Sequence, residues 1–368
     1  MINILYFAHT GKHIGGGETQ LFGLLKNLNK DMFSPIVICP NSGEFSDLLK
    51  TLNIPILICH LPGWRKLISF KDLASLHLLK TISKYQIDLV HASDLWYNYY
   101  ALQVGKLLGV PTITHVRNII IPKNTHKYLF DHFNKIIAIS ERIKNNLIDG
   151  GISPEKIEYI ADGIDLTEFQ PNRNKINVLR RDFQLRDKLI GLVGRIEPFK
   201  RQKDFMSIVA EVVKRRKDVS FLLIGDTLKR YDKYLRETIS AIRKYGIYKY
   251  VVWTGYRRDM PDILNSLDIL VTLSGGSVTM EARACEIPVI MSDKAKQIRS
   301  FQDDGTGILR VPDNISDLSE AILRLLDDDQ LRTEIGKSGR KRVENFYDVR
   351  KTSEDTQKIY KDLLGITE

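Results

Sequence analysis

Cysteine is scarce in this sequence. The three cysteines, Cys39, Cys59 and Cys285, stand apart from one another in apolar surroundings. An odd count without Cys-x-x-Cys spacing argues against a disulfide framework and a zinc site, and it fits a reducing cytoplasm. Long apolar runs are also lacking, since none reaches the ~18 residues of a membrane span. The apolar start, Met1 to Phe7, is short and has no basic segment, so it predicts a strand rather than a signal peptide.

The motifs of several enzyme classes are missing as well. We recognise no His-Glu-x-x-His sequence, no metal-ligand cluster and no nucleophilic triad, so we expect no metal and no cofactor. A net charge of +10 attracts anions, which include phosphorylated small molecules, anionic membranes and nucleic acids. Because neither a dense basic run nor a nucleic-acid motif is present, nucleic acid is the least favoured of these partners.

What the sequence does contain is short apolar segments that alternate with amphipathic ones. Each apolar segment is too continuously apolar for a half-exposed strand, and such segments are typical of a parallel sheet covered on both faces. The first series of predicted strands is Ile2–Phe7, Ile36–Cys39, Ile54–Cys59, Leu89–His91, Thr112–His115 and Lys135–Ile139. The second is Leu189–Val193, Ser220–Ile224, Tyr250–Thr254, Ile269–Leu273, Val289–Met291 and Ile308–Val311. Predicted helices between them include Glu18–Leu28, Phe205–Arg215 and Ser316–Leu326.

Two such series predict an α/β protein with two doubly wound, Rossmann-like domains. The polar stretch Asp165–Asn174 is the predicted join. Ligands of open parallel sheets bind outside the carboxyl ends of the strands. We therefore expect a site in a cleft between two facing domains, built from the residues that follow each strand.

Two glycine-containing loops follow predicted strands. Gly15-Gly16-Gly17-Glu18 opens the first helix, where free N–H groups favour anions and glycines let a ligand approach the backbone. Its spacing does not fit the dinucleotide fingerprint, and a flexible turn is the alternative. In the second domain, Arg195 and Lys200 lie five residues apart in Gly194–Lys200, where two cations can converge on one diphosphate. The alternative is two solvated loop cations.

The segment Leu273–Pro288 is the most informative one. A strand ends, two glycines follow, and a helix is predicted to start near Ser277, where N–H groups can bind a phosphate oxygen. Glu281 is four residues further on the same helix face, and its carboxylate can accept hydrogen bonds from a ribose. It could also be an ordinary surface residue, although its small and apolar neighbours favour partial burial. His115 and His91 each end a predicted strand, where a lone histidine is more often structural.

These segments, taken in order, resemble those of the retaining GT-B glycosyltransferases of family 4, over nearly the whole chain. The resembling segments are GGGE at residues 15–18, DLVHAS at 88–93, IEYIADGID at 157–165, VGRIEPFK at 193–200, VVWTGYRRDMPDIL at 251–264 and EARACEIPVI at 281–290. The resemblance implies a GT-B fold with residues 1–168 as acceptor-binding domain and 169–349 as nucleotide-sugar domain. It also implies a C-terminal helix, about 350–368, that packs back on the first domain.

The resemblance further implies site residues. The catalytic candidates are His115, near the sugar 6-hydroxyl, with Arg195 and Lys200 neutralising the diphosphate in place of a metal. The donor-binding candidates are Gly16, Gly17, Tyr256, Arg257, Gly275, Gly276, Ser277, Val278 and Glu281. Two positions depart from the family pattern. Leu273 stands where the first glutamate of E-x7-E is usual, and Glu286 stands where a glycine is usual.

For the acceptor, two aromatic-rich segments of the first domain are candidates. Trp64, Arg65 and Lys66 belong to a basic-aromatic stretch that can lie on an anionic membrane, and Trp96 belongs to an aromatic cluster. A loop and a buried helix face are the equally weighted alternative. The membrane interpretation fits a lipid-linked acceptor and a peripheral location on the inner face of the plasma membrane.

The expected function is transfer of a hexose or N-acetylhexosamine, with retention, from a UDP-sugar to a glycan or lipid-linked acceptor in cell-surface polysaccharide or glycoconjugate biosynthesis. UDP is the base-rate choice of nucleotide. The alternatives are a catalytically impaired sugar-nucleotide or glycan-binding subunit, which Leu273 motivates, and an epimerase on the same architecture, for which no acid/base pair is recognisable.

Overall fold

A computed structural model describes residues 1–63, 71–172, 178–295 and 306–366. The chain divides into two compact units: Met1–Gly163 together with Asp348–Glu368, here unit 1, and Ile164–Tyr347, here unit 2. The predicted boundary between residues 168 and 169 therefore falls slightly late, because the chain enters unit 2 directly after Gly163.

Unit 1 is built on a seven-stranded sheet in which every neighbouring pair is parallel. Its strands are β1 (Ile2–Phe7), β2 (Phe33–Cys39), β3 (Ile56–Ile58), β4 (Leu89–Ala92), β5 (Thr112–Val116), β6 (Lys135–Ala138) and β7 (Ile157–Tyr159). They lie in the order β3-β2-β1-β4-β5-β6-β7. This is the doubly wound order, in which the sheet is built outward from β1 in both directions.

Helices cover both faces of this sheet. They are α1 (Gly16–Lys26), α2 (Glu44–Lys50), α3 (Lys71–Ile82), α4 (Asn98–Leu108) and α5 (Glu141–Asp149). The central strands β1 and β4 are almost wholly buried, as continuous apolar runs in a parallel sheet require. Successive residues face opposite layers, so Leu5 and Phe7 pack in one core while Ile4 and Tyr6 pack in the other.

The last helix of the chain returns to unit 1. After unit 2, α13 (Val349–Leu364) packs against α1. The approach is close at Gly23, where a Cβ would lie 2.7 Å from Cγ2 of Val349. Gln357 accepts a 2.8 Å hydrogen bond from the backbone N–H of Asn29. The side chain of Tyr360 is fully buried under the sheet.

Unit 2 contains a six-stranded parallel sheet in the order β10-β9-β8-β11-β12-β13. Its strands are β8 (Lys188–Val193), β9 (Val219–Ile224), β10 (Val251–Gly255), β11 (Ile269–Thr272), β12 (Val289–Ser292) and β13 (Ile308–Val311). The helices are α6 (Val178–Asp182), α7 (Gln202–Arg215), α8 (Asp232–Lys244), α9 (Met260–Asn265), α10 (Val278–Ala284), α11 (Ile315–Asp327) and α12 (Asp329–Phe346). The predicted two-domain α/β architecture is thereby confirmed.

The predicted strands differ from the observed ones mainly at their ends. The three-residue strand β7 was not predicted, because Ile157–Tyr159 is short and merges with the turn that follows. Strand β2 begins at Phe33 rather than Ile36, since it continues through Pro35, a residue that has no N–H to donate within a sheet. The three cysteines are free and buried. In the described residues, no helix is both long and apolar enough to cross a membrane.

Candidate functional site

In unit 2 the predicted donor loops meet at one sheet edge. Strands β8 and β11 are parallel neighbours, so the loops after them emerge side by side. The ammonium group of Lys200, on the first loop, donates a 3.3 Å hydrogen bond to the carbonyl oxygen of Gly275, on the second. The aliphatic part of Lys200 lies over Gly194, where a Cβ would come within 2.8 Å of its Cε. A side chain at position 194 would displace the lysine.

Arg195 lies on the same loop and is accessible. Its side chain is 57% exposed, and its guanidinium is 3.6 Å from the carboxylate of the buried Glu197. The contact is too long for a hydrogen bond, so the positive fork remains available to an anion. The loop ends in a short 3-10 turn, Pro198–Lys200, directly before α7. Two cations and a helix start are therefore close together in sequence on one loop.

The second loop has a backbone that suits glycine. Gly275 and Gly276 have φ angles of 68° and 128°, both disfavoured for residues with a Cβ. The N–H of Gly275 donates to the hydroxyl of Thr272 at 2.9 Å. Ser277 then precedes α10, whose first residue, Val278, is buried. The predicted helix start at Ser277 matches the observed one, and the first-turn N–H groups of α10 lie next to this loop.

Glu281 is the titratable group of this site. It keeps part of its surface exposed, yet burial of its carboxyl raises its pKa to about 7, with the charge of Glu168 adding to the effect. A hydrogen bond from Ser277 and the charge of Lys200 oppose the shift. The carboxylate is thus within electrostatic reach of Lys200 and lies one helical turn after Ser277. A hydroxyl-rich ligand placed here would favour the ionised form of Glu281.

The two candidates on the loop after β10, Tyr256 and Arg257, have different surroundings. The ring of Tyr256 is exposed. The guanidinium of Arg257 is bound by two carboxylates, with Nη1 2.7 Å from Asp182 and Nη2 2.6 Å from Asp259. These bonds raise the pKa of Arg257 above its already high value. Arg257 therefore ties the loop to the end of α6, which sequence reasoning did not anticipate.

In unit 1, Gly16 and Gly17 begin α1. A Cβ added to either would meet no atom within 4 Å, so packing does not demand glycine at these positions. The preceding N–H, that of Gly15, is bound by the carboxylate of Glu18 at 3.0 Å, which caps the helix from within. The open space above these glycines is a requirement for close approach of a ligand to the backbone.

His115, at the end of β5, belongs to a chain of four buried side chains. Its Nδ1 is 2.8 Å from Nε2 of His91, whose Nδ1 is 2.6 Å from the hydroxyl of Tyr360. That hydroxyl is 3.0 Å from the hydroxyl of Tyr6. Burial lowers the pKa of His91 to about 3 and that of His115 well below its usual value, and the charge of Arg117 adds to both shifts. Both imidazoles are consequently neutral at physiological pH.

The neighbouring strand ends are tied together by Arg117. Its Nη1 donates to the carbonyl oxygen of Ser93 at 2.5 Å, and its Nε is 3.3 Å from the carboxylate of Asp162. The Ser93 hydroxyl in turn donates to the carbonyl oxygen of Phe7. The ends of β1, β4 and β5 therefore form one rigid edge. Burial raises the pKa of Asp162, while its bond to Arg117 opposes the shift.

Of the acceptor candidates, Trp96 is partly exposed, and its ring centroid lies 6.1 Å from that of His9. Trp64, Arg65 and Lys66 lie outside the described residues. Leu273, the departure from the family pattern, is buried in the apolar core of unit 2. A cavity of about 890 Å³ exists in unit 1, but it includes Thr112 and Asn134 at the amino ends of β5 and β6. It is therefore at the sheet edge opposite to His115.

Two residues of the hydrogen-bonded chain behind His115 were not predicted from the sequence. Tyr6 lies inside a strand and Tyr360 inside an amphipathic helix, and each has an ordinary apolar core pattern. Nothing in the sequence indicates that their hydroxyls meet a histidine. Within the described ranges, no group of three or more His, Cys, Asp or Glu side chains has an arrangement that suits a metal ion.

Comparison with known proteins gives two matching family models. The model described as Glycosyltransferase Family 4 matches residues 14–168, and that described as Glycosyl transferases group 1 matches residues 176–342. An Escherichia coli relative, UDP-Gal:alpha-D-GlcNAc-diphosphoundecaprenol alpha-1,3-galactosyltransferase, is 24% identical and aligns over 94% of this chain and 92% of its own. The Staphylococcus aureus capsular polysaccharide biosynthesis glycosyltransferase CapM is 28% identical over 63% of each chain.

Among solved structures, Anabaena Alr3699/HepE in complex with UDP and glucose superposes with a TM-score of 0.82. It is 21% identical and covers 98% of this chain and 99% of its own, a likeness that shows the fold. The two family models together span every site residue predicted from the sequence, whereas Tyr6 and Tyr360 lie outside both. The chain belongs to the group 1, family 4 glycosyltransferases of GT-B fold.

Proposed function

We propose that this glycosyltransferase moves a hexose or an N-acetylhexosamine from a UDP-sugar to a glycan or lipid-linked acceptor in cell-surface glycan biosynthesis. The named relatives support the choice. The Escherichia coli enzyme uses UDP-Gal and a diphosphoundecaprenol-linked sugar by name, and the Staphylococcus aureus one serves capsular polysaccharide biosynthesis. The observation that carries the proposal is the bond between Lys200 and Gly275, which joins two loops suited to a diphosphate.

In this proposal the donor diphosphate is bound without a metal ion. The exposed fork of Arg195 and the ammonium group of Lys200 supply the positive charge. The backbone N–H groups of Gly276 and Ser277 hold the distal phosphate, where the start of α10 favours an anion. A set of donors held in fixed positions stabilises charge better than water does, because it needs no reorganisation during the reaction.

The transfer itself would proceed with retention. The acceptor hydroxyl attacks the anomeric carbon from the face that the diphosphate leaves. The bond from that carbon to the phosphate oxygen breaks, the bond to the acceptor oxygen forms, and the departing phosphate takes the acceptor proton. Arg195 and Lys200 stabilise the charge that develops on the leaving group. His115 binds the sugar near its 6-hydroxyl, and Gly16 and Gly17 allow the sugar and diphosphate to approach the backbone.

The nucleoside end would be bound by the other unit 2 groups. Glu281 accepts hydrogen bonds from the ribose hydroxyls, and the exposed ring of Tyr256 contacts the base. Arg257 supports this loop through its two carboxylate partners. Leu273 cannot bind a sugar hydroxyl, so the transferred sugar has fewer polar contacts on this side than the usual glutamate provides.

A lipid-linked acceptor would place the enzyme at the inner face of the plasma membrane. Trp64, Arg65, Lys66 and Trp96 combine aromatic rings and positive charge, which suits an anionic surface. Sedimentation with vesicles of anionic lipid at low salt tests this part. Binding that is lost in a Trp64→Ala, Lys66→Ala variant supports it, and absence of binding by the unmodified chain removes it.

The second candidate function is a sugar-nucleotide or glycan-binding subunit without turnover, which the missing glutamate at Leu273 favours. Two measurements separate the candidates. A thermal-shift screen of nucleotide-sugars identifies the donor, because a ligand that binds only the folded state raises the melting temperature. A transfer assay with that donor and a short diphospholipid-linked sugar, in the presence of a chelator, then tests turnover. Binding without transfer or donor hydrolysis favours the subunit.

A further inference from the structure

The chain of hydrogen bonds behind His115 has a direction that the geometry determines. Three links join four groups in the order Tyr6, Tyr360, His91 and His115. Each tyrosine has one hydroxyl proton, and each neutral imidazole has one N–H. Three protons fill the three links, so one proton must point away from the chain.

This fourth proton could be carried by Tyr6, Tyr360 or His115. His91 has both ring nitrogens engaged, so its proton is always inside the chain. If the outward proton were on Tyr6 or Tyr360, a hydroxyl with no solvent exposure would need a further acceptor. Among the described residues, neither hydroxyl has a further hydrogen-bond partner. A buried donor without an acceptor keeps the full cost of its lost hydration.

Placing the outward proton on His115 avoids this cost. Tyr6 then donates to Tyr360, Tyr360 donates to Nδ1 of His91, and Nε2 of His91 donates to Nδ1 of His115. The remaining proton is on Nε2 of His115, a residue near the carboxyl end of β5 that is 4% exposed. Every hydroxyl proton inside the core has an acceptor in this arrangement.

We propose that Tyr360, on the last helix of the chain, is a positioning residue that fixes His115 in the tautomer protonated at Nε2. His115 thereby presents a hydrogen-bond donor, not an acceptor, to its ligand. The ligand atom it recognises is an oxygen with a free lone pair, such as a sugar hydroxyl. This last step rests on the proposed function, whereas the tautomer itself does not. Helix α13 therefore contributes to the site through an atom that never touches the ligand.

Removing one hydroxyl at a time separates this role from a merely structural one. Tyr360→Phe deletes the donor to Nδ1 of His91, after which either orientation leaves one polar atom of His91 unpaired, and the preference disappears. Tyr6→Phe is the matched control, because it deletes an equally buried hydroxyl one link further away. Tyr360 can still donate to His91 in that variant, so the tautomer of His115 persists.

The test is the imidazole spectrum of protein labelled with ¹⁵N-histidine, recorded at pH 7.5, with His115→Gln to assign the signals among the eight histidines. We expect a protonated Nε2 and an unprotonated Nδ1 for His115 in the unmodified protein and in Tyr6→Phe, and averaged signals in Tyr360→Phe. A proton on Nδ1 of His115 in the unmodified protein overturns the proposal. So does an unchanged spectrum in Tyr360→Phe, or an equal change in both variants.

Transfer assays on the same proteins test the tautomer of His115 separately from the proposed function. If the two tautomers become equally populated, the competent fraction is halved, and kcat/KM for the donor falls about twofold in Tyr360→Phe. Tyr6→Phe retains the unmodified value. An unmodified protein with the expected tautomer but no transfer contradicts the proposed function and leaves the assignment of Tyr360 intact.

Discussion

The ammonium group of Lys200 lies 3.3 Å from the carbonyl oxygen of Gly275, across the ends of two neighbouring parallel strands. A lysine that bonds a carbonyl still has two further N–H donors. Lys200 therefore fixes one loop against the other and can also bind an anion between them. Arg195, on the same loop, adds a second cation whose nearest carboxylate is 3.6 Å away.

Loss of these two cations should abolish transfer and preserve the fold. Arg195→Ala and Lys200→Met each delete a charge, and methionine keeps the aliphatic stem that covers Gly194. Each charge-assisted bond is worth about 1.5–3 kcal/mol, so kcat/KM should fall by about 10- to 100-fold per change. Steady-state kinetics and circular dichroism provide the measurements.

The controls for this experiment lie on α7. Arg215→Ala and Lys214→Ala each remove one positive charge from an exposed side chain of the same residue type. The Arg215 side chain is 59% exposed, against 57% for Arg195. We expect these variants to retain full activity. A doubly substituted Arg195→Ala, Lys200→Met enzyme that transfers sugar at the unmodified rate would show that the diphosphate binds elsewhere.

The pKa of Glu281 predicts a pH dependence of donor binding. With a pKa of about 7 in the free protein, the carboxylate is mostly protonated at pH 6 and mostly ionised at pH 8. If the ribose requires the ionised form, affinity for the nucleotide-sugar should rise about tenfold over this interval. Calorimetric titration at several pH values measures it. Glu281→Gln should bind more weakly with a flat profile, while Glu320→Gln, an exposed control, should keep the rise.

The raised pKa of Glu281 also predicts how the stability of the protein depends on pH. A carboxyl group whose pKa is raised by folding binds more protons in the folded state, so the free energy of unfolding falls as pH rises. The fall should occupy the interval from the usual glutamate value, about 4.5, to about 7. Denaturant titrations should show this decline in the unmodified protein and a smaller one in Glu281→Gln. An identical decline in both would assign the pH dependence to other groups.

The strand pattern of this fold was predictable because buried parallel strands are continuous apolar runs. Strands β1 and β13 agree with the prediction at both ends. The carboxyl ends of neighbouring parallel strands lie at the same edge of a sheet, so the loops at Arg195 and Gly275, which follow β8 and β11, emerge side by side. The observed division after Gly163 lies a few residues before the predicted one, because buried apolar residues such as Ile160 and Ile164 stand on both sides of it and no change of composition marks it.

The buried network was not predictable. His91 and Tyr360 are 269 residues apart in sequence, and helix periodicity indicates which face of α13 is buried but not what it meets. Arg257 shows the same limit. The family resemblance implies that its loop lies near the base, but nothing in the sequence indicates that Asp182, on another element, binds its guanidinium. Contacts between polar side chains of different elements depend on rotamers and tertiary packing, which the pattern of one segment does not contain.

Two glycines of α1 should respond in opposite ways to alanine. Gly17→Ala meets no atom within 4 Å and improves helix propensity, so stability should stay level or rise by up to about 1 kcal/mol. Donor turnover should nevertheless fall, because the added methyl occupies the space proposed for the ligand. Gly23→Ala places its Cβ 2.7 Å from Val349, so it should destabilise by about 1–3 kcal/mol and spare the affinity for donor.

Melting temperatures and donor titrations on both variants distinguish the two roles. Val349→Ala should relieve the strain of Gly23→Ala, giving a double variant more stable than the sum of the single effects implies. Full activity in Gly17→Ala would remove that glycine from the donor site. A stable Gly23→Ala variant would mean that α13 moves away from α1 without cost.

Glu286 offers a test of the second departure from the family pattern. It has a φ angle of 59°, in the left-handed region, at the position where the family usually has glycine. That conformation costs a residue with a Cβ roughly 1–2 kcal/mol, and glycine loses about 0.5–1 kcal/mol more entropy on folding. Glu286→Gly should therefore stabilise unit 2 by up to about 1 kcal/mol and raise its melting temperature by about 2–4 °C.

Glu286→Ala is the matched control, because it deletes the same carboxylate and retains the backbone strain. We expect the alanine variant to melt no higher than the unmodified protein and both variants to keep their transfer activity. Equal stabilisation by alanine and glycine would assign the effect to the lost charge. Destabilisation by glycine would mean that the contacts of the Glu286 side chain outweigh the strain at its backbone.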